Sequence, residues 1–377
     1  MWNERRPSHG VMEGQGAYNK HAKLPADGAA LALPLLEKAI GNVELNSDDD
    51  PIVIADYGSS QGKNSLVPMQ VAIRGLRKRV APNRPISVFH IDQPSNDFNS
   101  LFEVLHADSQ RYVGDDPDVY PAAIGKSFYE EVLPPGTVHL GWSSYAAVWL
   151  SRVPTLIPGH FISIRSTGSV RAEFERQAAR DWEAFLRLRA RELRPGGRLL
   201  VVLPGIADDG SVGIEPIFDQ ANAVLEEMVA DGAITSDERS RMAVRAHPRR
   251  KRDLLAPFGS HGRFQQLTVE DYAMFEVSDA AWDQYDRDGD TEALTSKRAL
   301  FFRSIFGPSL ACGLDPVRTG NDHAPRTFAD QLEQRLKRRL TNEPVAMPSF
   351  VQTILMAKRD ESHLNGLVLS PPSEAAL

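Results

Sequence analysis

Ile52-Val53-Ile54-Ala55-Asp56-Tyr57-Gly58-Ser59-Ser60-Gln61-Gly62 decides the fold class. Its apolar run has the character of a strand buried on both faces of a parallel sheet, and it empties into an acid and a glycine-rich turn. Beyond the turn, Leu66, Met69, Ile73 and Leu76 recur at helical spacing through residues 64–79. Ser87-Val88-Phe89-His90-Ile91 then predicts a second strand, closed by Asp92. Strand, glycine turn, helix, strand and acid make one βαβ unit.

The alternation continues outward from this unit. A helix is predicted over 97–105, a strand over 137–142, and a long helix over 171–194 with Phe174, Ala178, Trp182, Phe185 and Leu186 on one face. Pro195-Gly196-Gly197 reads as its stop, followed by the apolar strand Leu199-Leu200-Val201-Val202-Leu203. Repeated βα units predict an open, mostly parallel α/β sheet with helices on both faces. Upstream, residues 31–40 predict a short amphipathic helix, and residues 1 to about 25 a polar, mobile arm. From 206 the pattern turns helical, with Thr235-Ser236-Asp237-Glu238 spelling a capping box. A strand near 264–277, a helix over 327–340, a strand over 350–357 and a disordered tail complete the expectation. The basic run at 245–252, RAHPRRKR, reads as a solvated loop.

Composition narrows the function classes. The 377 residues carry 43 Lys and Arg against 50 Asp and Glu, a formal charge of −7, which argues against a nucleic-acid partner. The single cysteine, Cys312, excludes an intrachain disulfide and any zinc site built from several thiolates, and it suits a reducing compartment. There is no apolar run of eighteen residues and no apolar stretch behind the charged N-terminus. The expectation is a cytoplasmic protein without a membrane span.

The loop from Asp56 to Asn64 is the first place where chemistry can be read. It fails as a P-loop, because three residues separate Gly58 from Gly62 and Asn64 stands where a magnesium-binding hydroxyl belongs. It fails as a dinucleotide fingerprint, because no tight G-x-G is present to approach a pyrophosphate. A nucleoside ligand without pyrophosphate fits better, with Asp92 accepting from two ribose hydroxyls; a plain βα turn is the competing reading. Asp97 reads as the N-cap of the helix that starts at Phe98, and the Asn96–Asn99 segment has no recognised metal-ligand spacing, so no metal is expected. Ser127-Phe128-Tyr129 and the stretch from Trp142 to Leu150 fall at strand ends, where ligands gather in open α/β sheets. Trp149 offers one indole N–H and no acceptor, which suits a carboxylate; equally, it is a core aromatic.

Taken in order, these segments resemble the SABATH family of S-adenosylmethionine-dependent carboxyl methyltransferases and its bacterial relatives. The resemblance rests on Met12-Glu13-Gly14-Gln15-Gly16-Ala17-Tyr18, on the loop from Asp56 to Asn64, on Asp92 through Asn99, on Gly125-Lys126-Ser127-Phe128-Tyr129 with one residue inserted, and on Ser143-Ser144-Tyr145 with Trp149 through Pro154. It implies a class I, Rossmann-like methyltransferase sheet of seven strands with an inserted helical cap, often as a homodimer. The implied division is an N-terminal lid (1–25), an α/β domain (26–205 and 262–377, with cap elements from 280–345) and a helical cap insertion (206–261). Asp56, Gly58 and Asn64 would line the methionine end of the cofactor, Asp92 and Gln93 would hold ribose and adenine, and Ser127 and Phe128 would flank the adenine. Ser143 joins the cofactor set, and Tyr18 would close from the arm. Trp149 would donate to the substrate carboxylate, with Tyr145 and Val148 bordering the acid.

Two positions depart from the family pattern. A cofactor-binding Ser is replaced by Ala22, and the Gln that partners the Trp on the carboxylate is replaced by Pro25, which has no side-chain donor. Lys23 or His21 is the expected substitute donor, or else the acid is held by Trp149 and apolar walls alone. The implied reaction is methyl-ester formation on an apolar acid, a fatty acid ahead of a salicylate-, benzoate- or indole-acetate-type acid, leaving S-adenosylhomocysteine. A non-catalytic nucleoside- or acid-binding protein is the contrasting reading.

Overall fold

A computed structural model of the chain describes residues 10–46, 50–114, 116–316 and 323–360. Its strands are β1 (Ile52–Tyr57), β2 (Ile86–Asp92), β3 (Val119–Gly125), β4 (Val138–Ser144), β5 (Leu193–Pro204), β6 (Arg263–Phe264), β7 (Leu267–Val277) and β8 (Ser349–Lys358), in the spatial order β3-β2-β1-β4-β5-β8-β7-β6. Strands β1 to β5 pair in parallel, and β8 runs antiparallel to both β5 and β7. Seven long strands thus form the expected sheet, and the two-residue β6 adds a short hairpin at the β7 edge. The chain order reverses between β1 and β4, and that reversal opens a crevice beyond the C-terminal ends of the strands.

Both faces of the sheet are buried, as a continuous apolar strand requires. Leu200 and Val202 of β5 belong to one core with Ile52, Ile54, Leu66, Met69 and Leu76, whereas Leu199, Val201 and Leu203 belong to the other with Trp182, Phe185 and Leu186. The first face is covered by α3 (Leu33–Asn42), α4 (Leu66–Arg77) and α5 (Phe98–Ala107), the second by α6 (Gly168–Glu192). The second core extends without a break into α7 (Glu215–Ala230), α11 (Thr291–Ala311) and α12 (His323–Asn342) through Phe218, Phe302, Phe306 and Leu336. The shorter helices are α1 (Ala17–His21), α2 (Lys23–Ala30), α8 (Ser236–Arg241), α9 (Lys251–Leu255) and α10 (Ala280–Asp288). The capping box at α8 is present in both directions: Glu238 N–H donates to Thr235 Oγ1 at 3.1 Å, and Thr235 N–H donates to Glu238 Oε2 at 2.8 Å. Among the described residues, no helix is long and apolar enough to cross a membrane.

Three expectations change. Strand β3 escapes the periodicity because Pro121 interrupts it and much of it is only half-buried, features an edge strand tolerates. Helix α6 ends at Glu192, before Pro195, because the residue ahead of a proline disfavours helical backbone. Pro195-Gly196-Gly197 instead lies inside β5, where the β4–β5 register slips between Val138 and Leu140. Gly196 sits at φ 75° against Glu44, whose Cβ would be 2.4 Å from any Cβ placed there.

The described part of the arm, residues 10–25, is held against the body of the protein rather than mobile. Glu13 N–H donates to the Ser304 carbonyl of α11, Gln15 N–H to Asp97, and Gln61 Nε2 to the Glu13 carbonyl. Arg303 of α11 holds Glu13 at 2.9 Å while pairing with Asp330 and Glu333 of α12.

Candidate active site

A cavity of about 400 Å³ lies at the C-terminal ends of the strands, beneath the arm and the cap helices. Gly58, Ser60, Asp92, Gln93, Ser127 and Phe128 line it from strand ends. Tyr18, Leu24 and Pro25 line it from the arm and α2, while Tyr145, Val148 and Trp149 line it from the segment after β4. Ile162, Ile214, Phe218, Phe301, Ile305 and Phe306 complete an apolar wall.

Asp92 ends β2 as an acceptor already oriented by backbone. Its Oδ2 takes the Ser60 N–H and its Oδ1 the Gln93 N–H, both at 2.7 Å. Burial is the main influence on this carboxyl and raises it to about 6 despite those two bonds. Its remaining lone pairs suit two hydroxyl donors. Gly58 at φ 93° allows the approach of the next segment, since a Cβ there would lie 2.1 Å from Ala146 Cβ. Ser60 also lines the cavity, and its buried Oγ has no hydrogen-bond partner among the described residues. This set fits a nucleoside. Lys63 of the glycine loop is not free to meet a phosphate, because it pairs with Asp108 at 2.6 Å.

Three of the cofactor residues chosen from sequence do not line the cavity. Asp56 lies beneath the loop, where its Oδ2 accepts from Ser65 Oγ at 2.6 Å and meets His90 Nδ1 at 2.9 Å; His90 Nε2 in turn meets the Tyr112 hydroxyl at 2.7 Å. Asn64 donates to the Ala22 carbonyl at 3.2 Å and bonds the Tyr18 phenol, so it couples the loop to the arm. Ser143 is fully buried, its hydroxyl given to the Tyr57 carbonyl at 2.9 Å; its neighbour Ser144 lines the cavity instead. Strand alternation decides between the two. Asp97 is the N-cap read from sequence, accepting from Ser100 N–H at 3.1 Å.

The opposite end is apolar with a few placed donors. The Trp149 loop is braced by its own N–H to the Ala146 carbonyl and by the Tyr129 hydroxyl, which donates to the Trp149 carbonyl at 2.6 Å. No described residue accepts from the Trp149 indole N–H, and its ring lies 6.3 Å from that of Phe306. Tyr145 adopts φ 55°, and its hydroxyl occupies the space over Gly28 that a Cβ would fill, at 2.1 Å. Neither expected substitute donor reaches the cavity. Lys23 is 71% exposed and paired with Asp27, and His21 is absent from the lining.

The basic run at 245–252 is the largest departure. Arg249 is only 2% exposed; its Nη1 donates to the Ala147 carbonyl at 2.6 Å, and its Nη2 and Nε donate to the Ala178 carbonyl at 2.8 and 3.1 Å. His247 is buried against Ser163 Oγ at 2.9 Å, and desolvation pushes it down to about 3. Arg245 lines the cavity. Carbonyl oxygens, rather than water, satisfy much of this run, and hydropathy alone carries no sign of them.

The chain is similar to known proteins in sequence and in fold. A sequence model described as SAM dependent carboxyl methyltransferase matches residues 8–355. The chain is 32% identical to Methyltransferase FUS9 of Gibberella fujikuroi over 226 residues, covering 59% of this chain and 60% of that protein. It is 28% identical to salicylate carboxymethyltransferase of Clarkia breweri over 291 residues, covering 74% and 78% respectively. The solved structure of loganic acid methyltransferase with SAH shares the fold with a TM-score of 0.74 at 20% identity, covering 93% of this chain and 99% of that one.

Proposed function

The chain belongs to the S-adenosylmethionine-dependent carboxyl methyltransferases, and from that premise we propose that it esterifies an apolar carboxylic acid, with a fatty acid as the favoured substrate. The observation that carries this reading is the continuous wall from Ile162 and Phe218 to Phe301 and Phe306, beside an indole N–H with no protein partner. Burying an alkyl chain there contributes about 0.8 kcal/mol per methylene removed from water.

S-adenosylmethionine supplies a methyl group on a sulfonium, and its transfer to a carboxylate oxygen leaves S-adenosylhomocysteine and the methyl ester. A carboxylic acid is ionised at pH 7, so none of the chain's residues needs to act as a general base. The task of the residues is alignment, which can lower the barrier by about 7 to 11 kcal/mol. Asp92 and Gln93 hold the ribose and adenine in this reading, with Ser127 and Phe128 at the adenine. Tyr18 covers the methionine end, while Asn64 and Asp56 act there through the bonds that hold the arm and loop. Trp149 donates to the carboxylate, Tyr145 and Val148 border the acid, and Ser143 ties β4 to β1 without touching a ligand. The arm and cap exclude water from the meeting of two opposite charges.

Incubation with methyl-labelled S-adenosylmethionine and a panel of fatty, benzoic and indole-acetic acids tests this. Methyl esters of the fatty acids are expected by mass spectrometry; label only in the aromatic acids would replace the aliphatic assignment, and label in none would remove the acid altogether.

A further inference from the structure

Arg245 is a half-buried cation that the proposed reaction leaves unused. It lines the cavity, its Nη2 makes no hydrogen bond to any described residue, and no Asp or Glu lies within ion-pair distance among the described residues. Its one hydrogen bond among the described residues is a long one, Nη1 to the Ser151 carbonyl at 3.3 Å. Arg249, four residues on, donates three bonds to two carbonyls and has no comparable vacancy. A guanidinium half withdrawn from water and left without an acceptor is costly, so a ligand acceptor at this place would offset a standing penalty.

Its neighbours identify the ligand. A Cβ built on Gly10 would lie 3.1 Å from Arg245 Nη2 and 3.4 Å from Gln93 Nε2, so the guanidinium and the Gln93 amide converge beneath the arm. Tyr129, from the segment after β3, lines the same cavity as Arg245. Gln93 directly follows the carboxylate suited to the ribose, and Tyr129 directly follows Phe128 on the cavity wall. The guanidinium thus shares with Gln93 the part of the cavity next to Asp92, the end suited to a nucleoside. An adenine ring offers acceptor nitrogens at its edge and no charge that would repel a cation.

We propose that Arg245 is a cofactor-binding residue, reaching from the cap-side segment to donate a hydrogen bond to an acceptor nitrogen of the cofactor's adenine. The inference concerns the nucleoside end and holds whichever acid the enzyme methylates. A charged donor to a buried acceptor is worth roughly tenfold in affinity or more.

The test is calorimetry on the full chain with S-adenosylhomocysteine and, separately, with adenosine. Arg245→Met is expected to weaken both by roughly tenfold, because the loss belongs to the part they share. Arg245→Lys, which keeps the charge and removes the fork, falls between. Adenosine affinity within twofold of the native chain, in a variant that keeps the native melting temperature, overturns the proposal. If Arg245→Met melts early, the same two titrations on Arg245→Lys decide: native affinity for both ligands overturns it, and a shared loss supports it.

Discussion

The two ends of the cavity are built by different means. At the cofactor end, short side chains and backbone N–H groups sit on strand termini that hydrogen bonding holds in place, and Asp92 receives both of its N–H donors from within 32 residues of chain. At the acid end, the walls come from α7, α11 and the arm, brought together from positions as distant as Pro25, Phe218 and Phe306. The first end is pre-organised polar geometry that tolerates almost no substitution. The second is apolar area, which tolerates changes of shape and so can follow a substrate.

This contrast can be broken most severely at Gly58. Gly58→Val places a branched side chain at φ 93° and into Ala146, combining backbone strain of about 1 to 3 kcal/mol with overpacking of a similar size. Adenosylhomocysteine binding should disappear, with a lowered denaturation midpoint; retained binding would mean that the loop does not approach the cofactor closely. Next comes Asp92→Asn, expected to weaken adenosylhomocysteine by about a hundredfold while leaving the fold intact.

The same carboxyl predicts a pH signature. Its raised value, about 6, means that the folded free protein holds a proton the unfolded chain has released between the usual carboxylate range and pH 6. Its contribution to stability therefore falls as pH rises through that window and is constant above it. Ligand affinity should move oppositely, because the ionised form accepts both ribose hydroxyls. Affinity should drop about tenfold per unit below pH 6 in the native chain and stay flat in Asp92→Asn, as titration calorimetry across pH 5 to 8 would show.

Trp149→Phe probes the acid end with a smaller change, since the ring stays and only the N–H is lost. The acid KM should rise about tenfold with adenosylhomocysteine affinity within twofold of native; a fall in cofactor affinity instead would merge the two ends. Lys23→Ala is expected to do least. Its ion pair with Asp27 is exposed, so acid KM should stay within twofold and stability within about 0.5 kcal/mol. A large rise in KM would restore Lys23 as the second carboxylate donor.

The βαβ unit, six of the seven long strands and the loop from Asp56 to Asn64 were legible because each depends on residues close in sequence. Strand β3 was not, since its proline and half-exposed edge remove the periodicity that marks a strand. At the site, Gly58, Asp92, Gln93, Phe128, Tyr145 and Trp149 could be placed near a cavity from the loop pattern together with the family resemblance. The direction of Asp56 and Ser143 could not, because both lie at strand ends where a one-residue offset sends a side chain under the sheet instead of over it. Arg245 and Arg249 carried identical signals in a basic run that looked solvated.

By itself, the sequence determined the parallel sheet, the nucleoside-type loop and the acid at the end of β2, through apolar runs, turn residues and helical spacing that act over tens of residues. Tertiary structure alone decided that Arg249 is satisfied by the carbonyls of Ala147 and Ala178 while Arg245 lines the cavity with one long bond to the Ser151 carbonyl among the described residues, and that Glu13 reaches Arg303 to hold the arm down. These outcomes depend on which carbonyl, carboxylate or solvent the folded chain happens to bring within 3 Å of a donor, and that distance is set by packing between segments far apart in the chain.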